Sequence, residues 1–236
     1  MSIRENQQKV ADLIKPQHIL VSVFDKTGLD VLVTSILNAN PDAVFYSTGG
    51  TGKKIVEVLG DKASKNYMSV EEFTGAPEME GGLVKTLHPK VHAGLLAERG
   101  NPAHEKYLAE DMARLGKGSG VYFDIFVGNL YPFASVTEKE GCTAEMARVN
   151  IDIGGPTMTM AGAKNWPSVA VLTNPSRYAD IGEFIERYGN TTLRLRFGLA
   201  QEAFKLIGEY RTAIARYFSG SHMFDKYVLP TLNVTE

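Results

Sequence analysis

His18-Ile19-Leu20-Val21-Ser22-Val23-Phe24 reads as a buried strand, and Asp25-Lys26-Thr27-Gly28 breaks it before a helical pattern that runs to Leu37. The same unit then recurs. Ala43-Val44-Phe45-Tyr46-Ser47 forms a second apolar run, a glycine-rich turn follows, and a helix continues through Leu59. Tyr122 to Gly128 and Ser168 to Thr173 are further short apolar runs. Strands that alternate with helices predict an α/β fold whose central sheet is mainly parallel and flanked by helices.

Outward from these runs, the helical segments have readable starts. Pro156 follows Gly154-Gly155, and proline suits the first turn of a helix, as does Pro175 after Asn174. Residues 193–218 carry Leu193, Phe197, Ala200, Phe204, Ile207, Ile214 and Phe218 at spacings of mostly three and four, which predicts a long amphipathic helix packed on the sheet. Residues 111–120 end as a flexible, glycine-rich loop. Residues 1–17 read as an appended helix with Val10, Ala11, Leu13 and Ile14 on a weak apolar face, and residues 18–236 as a single domain.

Composition removes several classes of function. The chain has 236 residues and is 44% hydrophobic, enough to bury a sizeable core. Net charge is −2, from 25 basic and 27 acidic residues, without the basic excess of a general nucleic-acid binder. Cys142 is the one cysteine, so no intrachain disulfide forms, and five histidines supply no zinc-ligand spacing. His88-x-x-x-His92 spans Pro89 and lacks the glutamate of the helical metal-binding pattern. The polar N-terminus is no secretory signal and no run reaches membrane-spanning length, which predicts a soluble, cytoplasmic protein.

Ligands of open parallel sheets bind at the carboxyl ends of the strands, and two motifs fall there. Ser47-Thr48-Gly49-Gly50-Thr51-Gly52 joins a strand to a helix, where backbone N–H groups and the helix N-terminus favour an anion. Thr48 and Thr51 add hydroxyl donors, and Lys26 stands at the end of the first strand. The densest polar stretch is Gly81-Gly82-Leu83-Val84-Lys85-Thr86-Leu87-His88-Pro89-Lys90-Val91-His92-Ala93-Gly94, irregular backbone of the kind that carries sites. Taken singly, each residue has an ordinary explanation. Lys26 is a solvated turn lysine, Asp152 a first-turn acid, Lys164 a cation suited to a helix C-terminus, and Tyr131 a packed aromatic before proline.

Taken together the motifs mean more. Lys85-Thr86-Leu87-His88-Pro89-Lys90-Val91-His92-Ala93-Gly94, Asn129-Leu130-Tyr131-Pro132-Phe133, Asp152-Ile153-Gly154-Gly155-Pro156-Thr157 and Ala163-Lys164-Asn165 stand in one order and spacing. Over residues 18 to about 218 the chain resembles the inosine monophosphate cyclohydrolase domain of the bifunctional purine-biosynthesis enzyme. The resemblance implies a methylglyoxal-synthase-like α/β sandwich and, since it stops before any transformylase domain, a stand-alone enzyme with formylation by a separate polypeptide. It implies a homodimer, no metal, and no organic cofactor. The implied reaction is closure of 5-formamido-imidazole-4-carboxamide ribonucleotide to inosine monophosphate. A poor amide nucleophile attacks a formyl carbon there, so the site needs orientation, a proton acceptor near nitrogen and donors near oxygen.

By the resemblance Lys85, Tyr131, Asp152 and Lys164 fall on catalytic positions, with Lys164 in proton transfer, Asp152 on the carboxamide and Tyr131 toward the formyl oxygen. Nucleotide contacts carry over to Asp25, Lys26, Thr48, Gly49, Gly50, Thr51, Thr86, Gly128, Asn129, Ile153 and Gly154. Three positions depart from the family pattern: Phe24 replaces a serine, and Leu83 and Met160 replace arginines. They leave two competing expectations, a nucleotide-sensing module like the regulatory domain of carbamoyl-phosphate synthetase, and methylglyoxal synthase, whose aspartate motifs are not matched.

Overall fold

The structure is a computed structural model that describes residues 10–77, 79 and 84–220. Gly81, Gly82 and Leu83 of the dense polar stretch lie outside the described residues, as do residues 1–9 of the extension. In chain order the elements are β1 (Leu13–Ile14), β2 (His18–Val23), α1 (Leu29–Ala39), β3 (Val44–Ser47), α2 (Gly49–Leu59), α3 (Ala63–Asn66), β4 (Tyr67–Ser69) and α4 (Val70–Thr74). There follow α5 (Pro89–Leu96), α6 (Pro102–Lys106), β5 (Ile125–Asn129), α7 (Phe133–Thr137), α8 (Ala144–Val149), α9 (Gly154–Lys164), β6 (Ala170–Leu172), α10 (Tyr178–Tyr188), β7 (Thr191–Thr192) and α11 (Leu193–Phe218).

Five strands form an all-parallel sheet in the order β4-β3-β2-β5-β6. Both faces are buried, which is why its strands read as continuous apolar runs instead of an alternation. Ile19, Val21, Phe45, Ile125 and Val127 face Leu32, Ile36, Ile55, Ile181 and Ile185 of α1, α2 and α10. Leu20, Tyr46, Phe126 and Val171 face Val91 and Leu95 of α5, Met158 and Ala161 of α9, and Ala200 and Ala203 of α11. The expected α/β sandwich is thus observed. Sequence reading missed β4, whose Tyr67-Met68-Ser69 is too short and too polar to stand out.

Two expectations are corrected. Of the N-terminal extension, residues 10–17 are not helical. β1 pairs antiparallel with β7, Leu13 opposite Thr192, with Leu13 outward and Ile14 buried in the alternation of a strand. Arg196, fully buried on α11, fixes this strap: its guanidinium donates to the carbonyls of Ala11, Asp12, Trp166, Pro167 and Thr191. On α11 itself the buried stripe is Arg196, Leu199, Ala200, Ala203, Ile207 and Tyr210, while Phe197 and Phe204 point outward at 46% and 43% exposure. An arginine at a core position displaced the helical face from the one its aromatics suggest.

By their contacts the described residues group into two compact units, one drawn from residues 1–130 and 153–207 and the other from residues 131–152 and 208–236. The first holds the sheet. In the second, Phe133 is buried and meets Tyr210 and Tyr217 edge-on, with ring centroids 6.3 and 5.9 Å apart.

Candidate active site

The strand order reverses between β2 and β5, and this is where an open parallel sheet leaves a crevice at its carboxyl rim. Asn129 closes the floor of that point. Its Oδ1 accepts from the N–H groups of Phe24 and Asp25, both at 2.8 Å, and its Nδ2 donates to Asp25 O at 2.7 Å. One amide side chain therefore ties the end of β5 to the loop after β2. Asp25 builds that loop: its carboxylate accepts from Thr27 N–H and Thr27 Oγ1, and these bonds hold its pKa below the usual carboxylate range. Lys26 Nζ donates to Phe24 O at 3.2 Å, and Gly28 turns the chain into α1 with φ of 71°. Gly128 is glycine for packing, since a β-carbon there would stand 2.3 Å from the Phe126 ring.

The glycine-rich turn presents backbone donors of the kind that suit an anion. The first N–H groups of any α-helix lack intrahelical partners and sit at the positive end of the dipole, and Gly49, Gly50 and Thr51 are those residues in α2. The threonine hydroxyls are committed elsewhere. Thr48 Oγ1 donates to Glu71 Oε1 on α4 at 2.6 Å, and buried Thr51 Oγ1 donates to Val23 O at 2.9 Å. In this structure both hydroxyl protons are directed to protein acceptors, which leaves the backbone N–H groups as the donors facing outward from the turn.

Lys85 and Thr86 link this turn to a second helix N-terminus. A β-carbon on Gly49 would stand 3.4 Å from Lys85 Nζ, so the ammonium lies against the start of α2. A β-carbon on Gly154 would stand 2.7 Å from Thr86 Oγ1, so the buried threonine lies against the start of α9. Two eleven-residue helices thus bring their N-termini to adjacent residues of one loop. His88 follows as the N-cap of α5, its Nδ1 accepting from Lys90 N–H. The ring of His92 is held by the Thr86 backbone, and burial pushes the pKa of both histidines down. His88 and His92 are each engaged with backbone, an ordinary use of a pair that lacks metal-binding spacing.

The remaining expected residues are placed less uniformly. Lys164, assigned to proton transfer by the resemblance, is exposed at the last residue of α9. Ten residues of helix at about 1.5 Å each put its Cα roughly 15 Å along the axis from Gly154. The described chain does not bring it to the end of α9 where Thr86 sits. Ile153 is exposed just before α9, and Met160, one of the departures, lies midway along it. Phe24, another departure, is exposed on the loop after β2. Tyr131 and Asp152 belong to the second unit. Tyr131 is half exposed, and Asp152 N–H donates to the hydroxyl of Tyr210 at 2.7 Å. Tyr210 was missed in the sequence. Its signal was available: a tyrosine three residues after Ile207, on the core side of a helix, needs a partner for its hydroxyl.

A cavity of about 310 Å³ lies at the other rim of the sheet, lined by Gln17, His18, Arg99, Tyr122 and Asp124 among others. Its chemistry is used internally. The Asp124 carboxylate accepts from Gln17 N–H, His18 N–H and the Arg99 guanidinium, anchoring the starts of β2 and β5. The carboxyl rim, with its two helix N-termini and Lys85, is the better candidate.

The fold is a methylglyoxal-synthase-like α/β sandwich whose carboxyl edge carries the N-termini of α2 and α9 beside Lys85 and Thr86. Residues 162–235 match the family described as AICARFT/IMPCHase bienzyme. The chain is 41% identical over 209 residues to the bifunctional purine biosynthesis protein PurH of Magnetococcus marinus, covering 88% of this chain and 36% of that protein. It is 42% identical over 210 residues to PurH of Xanthomonas euvesicatoria, covering 89% and 37%. The chain therefore spans little more than a third of the length of these relatives. The crystal structure of ForH aligns with a TM-score of 0.67 at 26% identity, covering 86% of this chain and 99% of that one.

Proposed function

We propose that this chain acts in purine biosynthesis as an inosine monophosphate cyclohydrolase, closing the ring of 5-formamido-imidazole-4-carboxamide ribonucleotide. The observation that carries the reading is the pairing of Lys85 with the start of α2 and Thr86 with the start of α9. A phosphorylated substrate whose reacting oxygen gains negative charge needs two anion-stabilising points, one permanent and one for the transition state. Similarity to PurH over most of the chain supports the same conclusion.

In the proposed reaction the carboxamide nitrogen bonds to the formyl carbon. The carboxamide and formamido nitrogens each give up one proton, and the formyl oxygen departs as water. The phosphate binds the N–H groups of Gly49, Gly50 and Thr51 with Lys26 and Lys85 as cations. Thr86 and the N-terminus of α9 stabilise the oxygen as charge develops. Asp152 orients the carboxamide and Tyr131 donates toward the formyl oxygen, roles taken from the resemblance. Lys164 is left out of this set because of its distance along α9. The chemistry calls for no cofactor.

The assay is direct: the formamido nucleotide and pure protein, without folate or metal, should yield inosine monophosphate by ultraviolet absorbance. Binding of inosine monophosphate without turnover would indicate a nucleotide sensor. A homodimer completes the proposal. Outward-facing Phe197 and Phe204 supply apolar surface for a second copy, and sedimentation at micromolar concentration measures the state.

A further inference from the structure

Lys90 belongs to the dense polar stretch, yet the proposed reaction gives it no role. It is fully buried in the first turn of α5, five residues after Lys85. Its ammonium donates to three backbone carbonyls, Leu115 O, Lys117 O at 3.2 Å and Gly118 O at 2.7 Å. It also lies over the Phe73 ring, 4.5 Å from the centroid. A cation surrounded by carbonyl oxygens and an aromatic face, with backbone dipoles as its acceptors, is the environment of a small monovalent ion.

The loop it holds leads back to the site. Lys117 N–H donates to Glu72 O at 2.9 Å, and Lys117 Nζ to Glu72 Oε1 at 2.8 Å. Gly116 packs so tightly on Gly75 that a β-carbon on it would stand 2.4 Å from Gly75 N. Glu72 and Phe73 lie on α4, and the preceding residue, Glu71, accepts from Thr48 Oγ1. A continuous chain of contacts therefore runs from the Thr48 turn through α4 and the 115–118 loop to Lys90, and by five residues of backbone to Lys85 and Thr86. The loop that sequence reading left flexible is held by a buried charge.

We propose that Lys90 is a positioning residue, a built-in monovalent cation that sets the spacing between the Thr48–Thr51 turn and the Lys85–Thr86 pair. The inference rests on the cyclohydrolase reading only for the identity of the nucleotide. Lys90→Ala removes the three outer carbons and the ammonium, so propylammonium is the missing part. Without it, inosine monophosphate affinity should fall about tenfold or more, since the two halves of the anion site are no longer pre-organised. Propylammonium should restore affinity and melting temperature, and propanol, which fills the space without the charge, should not. Lys90→Met keeps the volume and removes the charge, and should show the same loss if the alanine variant does not fold. Hydrogen exchange on the wild-type protein should show protection at Lys117 and Gly120, whose N–H groups are bonded to Glu72 O and Leu108 O. Undiminished nucleotide binding in either folded variant, equal rescue by propanol, or free exchange of the 115–120 loop in the wild type would overturn the proposal. Failure of the wild type to bind inosine monophosphate would instead count against the cyclohydrolase reading, with amine rescue of the melting temperature still deciding the role of Lys90.

Discussion

Gly154→Ala should separate stability from function in one substitution. Gly154 opens α9, and the space its missing side chain would take is bordered by Thr86 Oγ1, 2.7 Å from where the new methyl would stand. Ordinary contacts begin near 3.4 Å, so either the start of α9 or Thr86 has to move by roughly 0.7 Å. Stability should change by no more than about 1 kcal/mol, because alanine regains up to that amount of helix propensity and offsets the contact. The site is less forgiving. A misplacement of about 1 Å can cost on the order of a hundredfold, so nucleotide affinity and turnover should drop by roughly ten- to a hundredfold. Calorimetric titration of inosine monophosphate, a melting curve and the ring-closure assay on the same preparation test this. A folded variant with wild-type affinity and turnover would mean that the Thr86–Gly154 contact does not border the substrate.

Asp152→Ala should lower turnover by at least about a hundredfold, the scale of an orienting or proton-transfer group, while Lys164→Ala should cost less than about tenfold. A hundredfold loss in well-folded Lys164→Ala would return that lysine to the chemistry and point to delivery by a second subunit. Arg196→Met leaves five carbonyls without their donor and should destabilise by about 3–5 kcal/mol. In a chain of this size that corresponds to roughly 6–20 °C in melting temperature, and an unchanged melt would remove Arg196 as the clamp of the N-terminal strap. His18 is held below its ordinary pKa of 6.5 mainly by burial, with Asp124 raising it and Arg99 lowering it. Its contribution to stability is therefore fully present above pH 6.5 and is lost as the pH falls through the folded-state value. His18→Gln should flatten the decline of melting temperature between about pH 7 and pH 5, and an unaltered slope would contradict this.

The sheet was readable because parallel strands buried on both faces leave unbroken apolar runs, and 18–24 and 43–47 are such runs. β4 escaped because three residues carry no periodicity. The face of α11 was misread because Phe197 and Phe204 outweighed Arg196, and a saturated buried guanidinium cannot be told from a surface one without its carbonyls. The glycines and polar residues of the site were visible as a motif, but what they touch was not. That Thr48 donates to Glu71 and Thr51 to Val23 O is a long-range pairing that no local pattern announces. Lys164 matched a motif whose spacing says nothing about which end of a helix faces the site. Lys90 was visible within the dense polar stretch, but its burial was not, since its acceptors come from residues 115–118.

The central claim is that the carboxyl rim of the sheet holds a nucleotide, phosphate at α2 and reacting oxygen at α9. Soaking or co-crystallising the protein with inosine monophosphate measures it most directly. The account requires the phosphate within hydrogen-bond reach of the Gly49, Gly50 and Thr51 N–H groups and near Lys85 Nζ, with the purine ring toward Thr86 and Gly154. A nucleotide seated at the opposite rim, among His18, Arg99 and Tyr122, would contradict it.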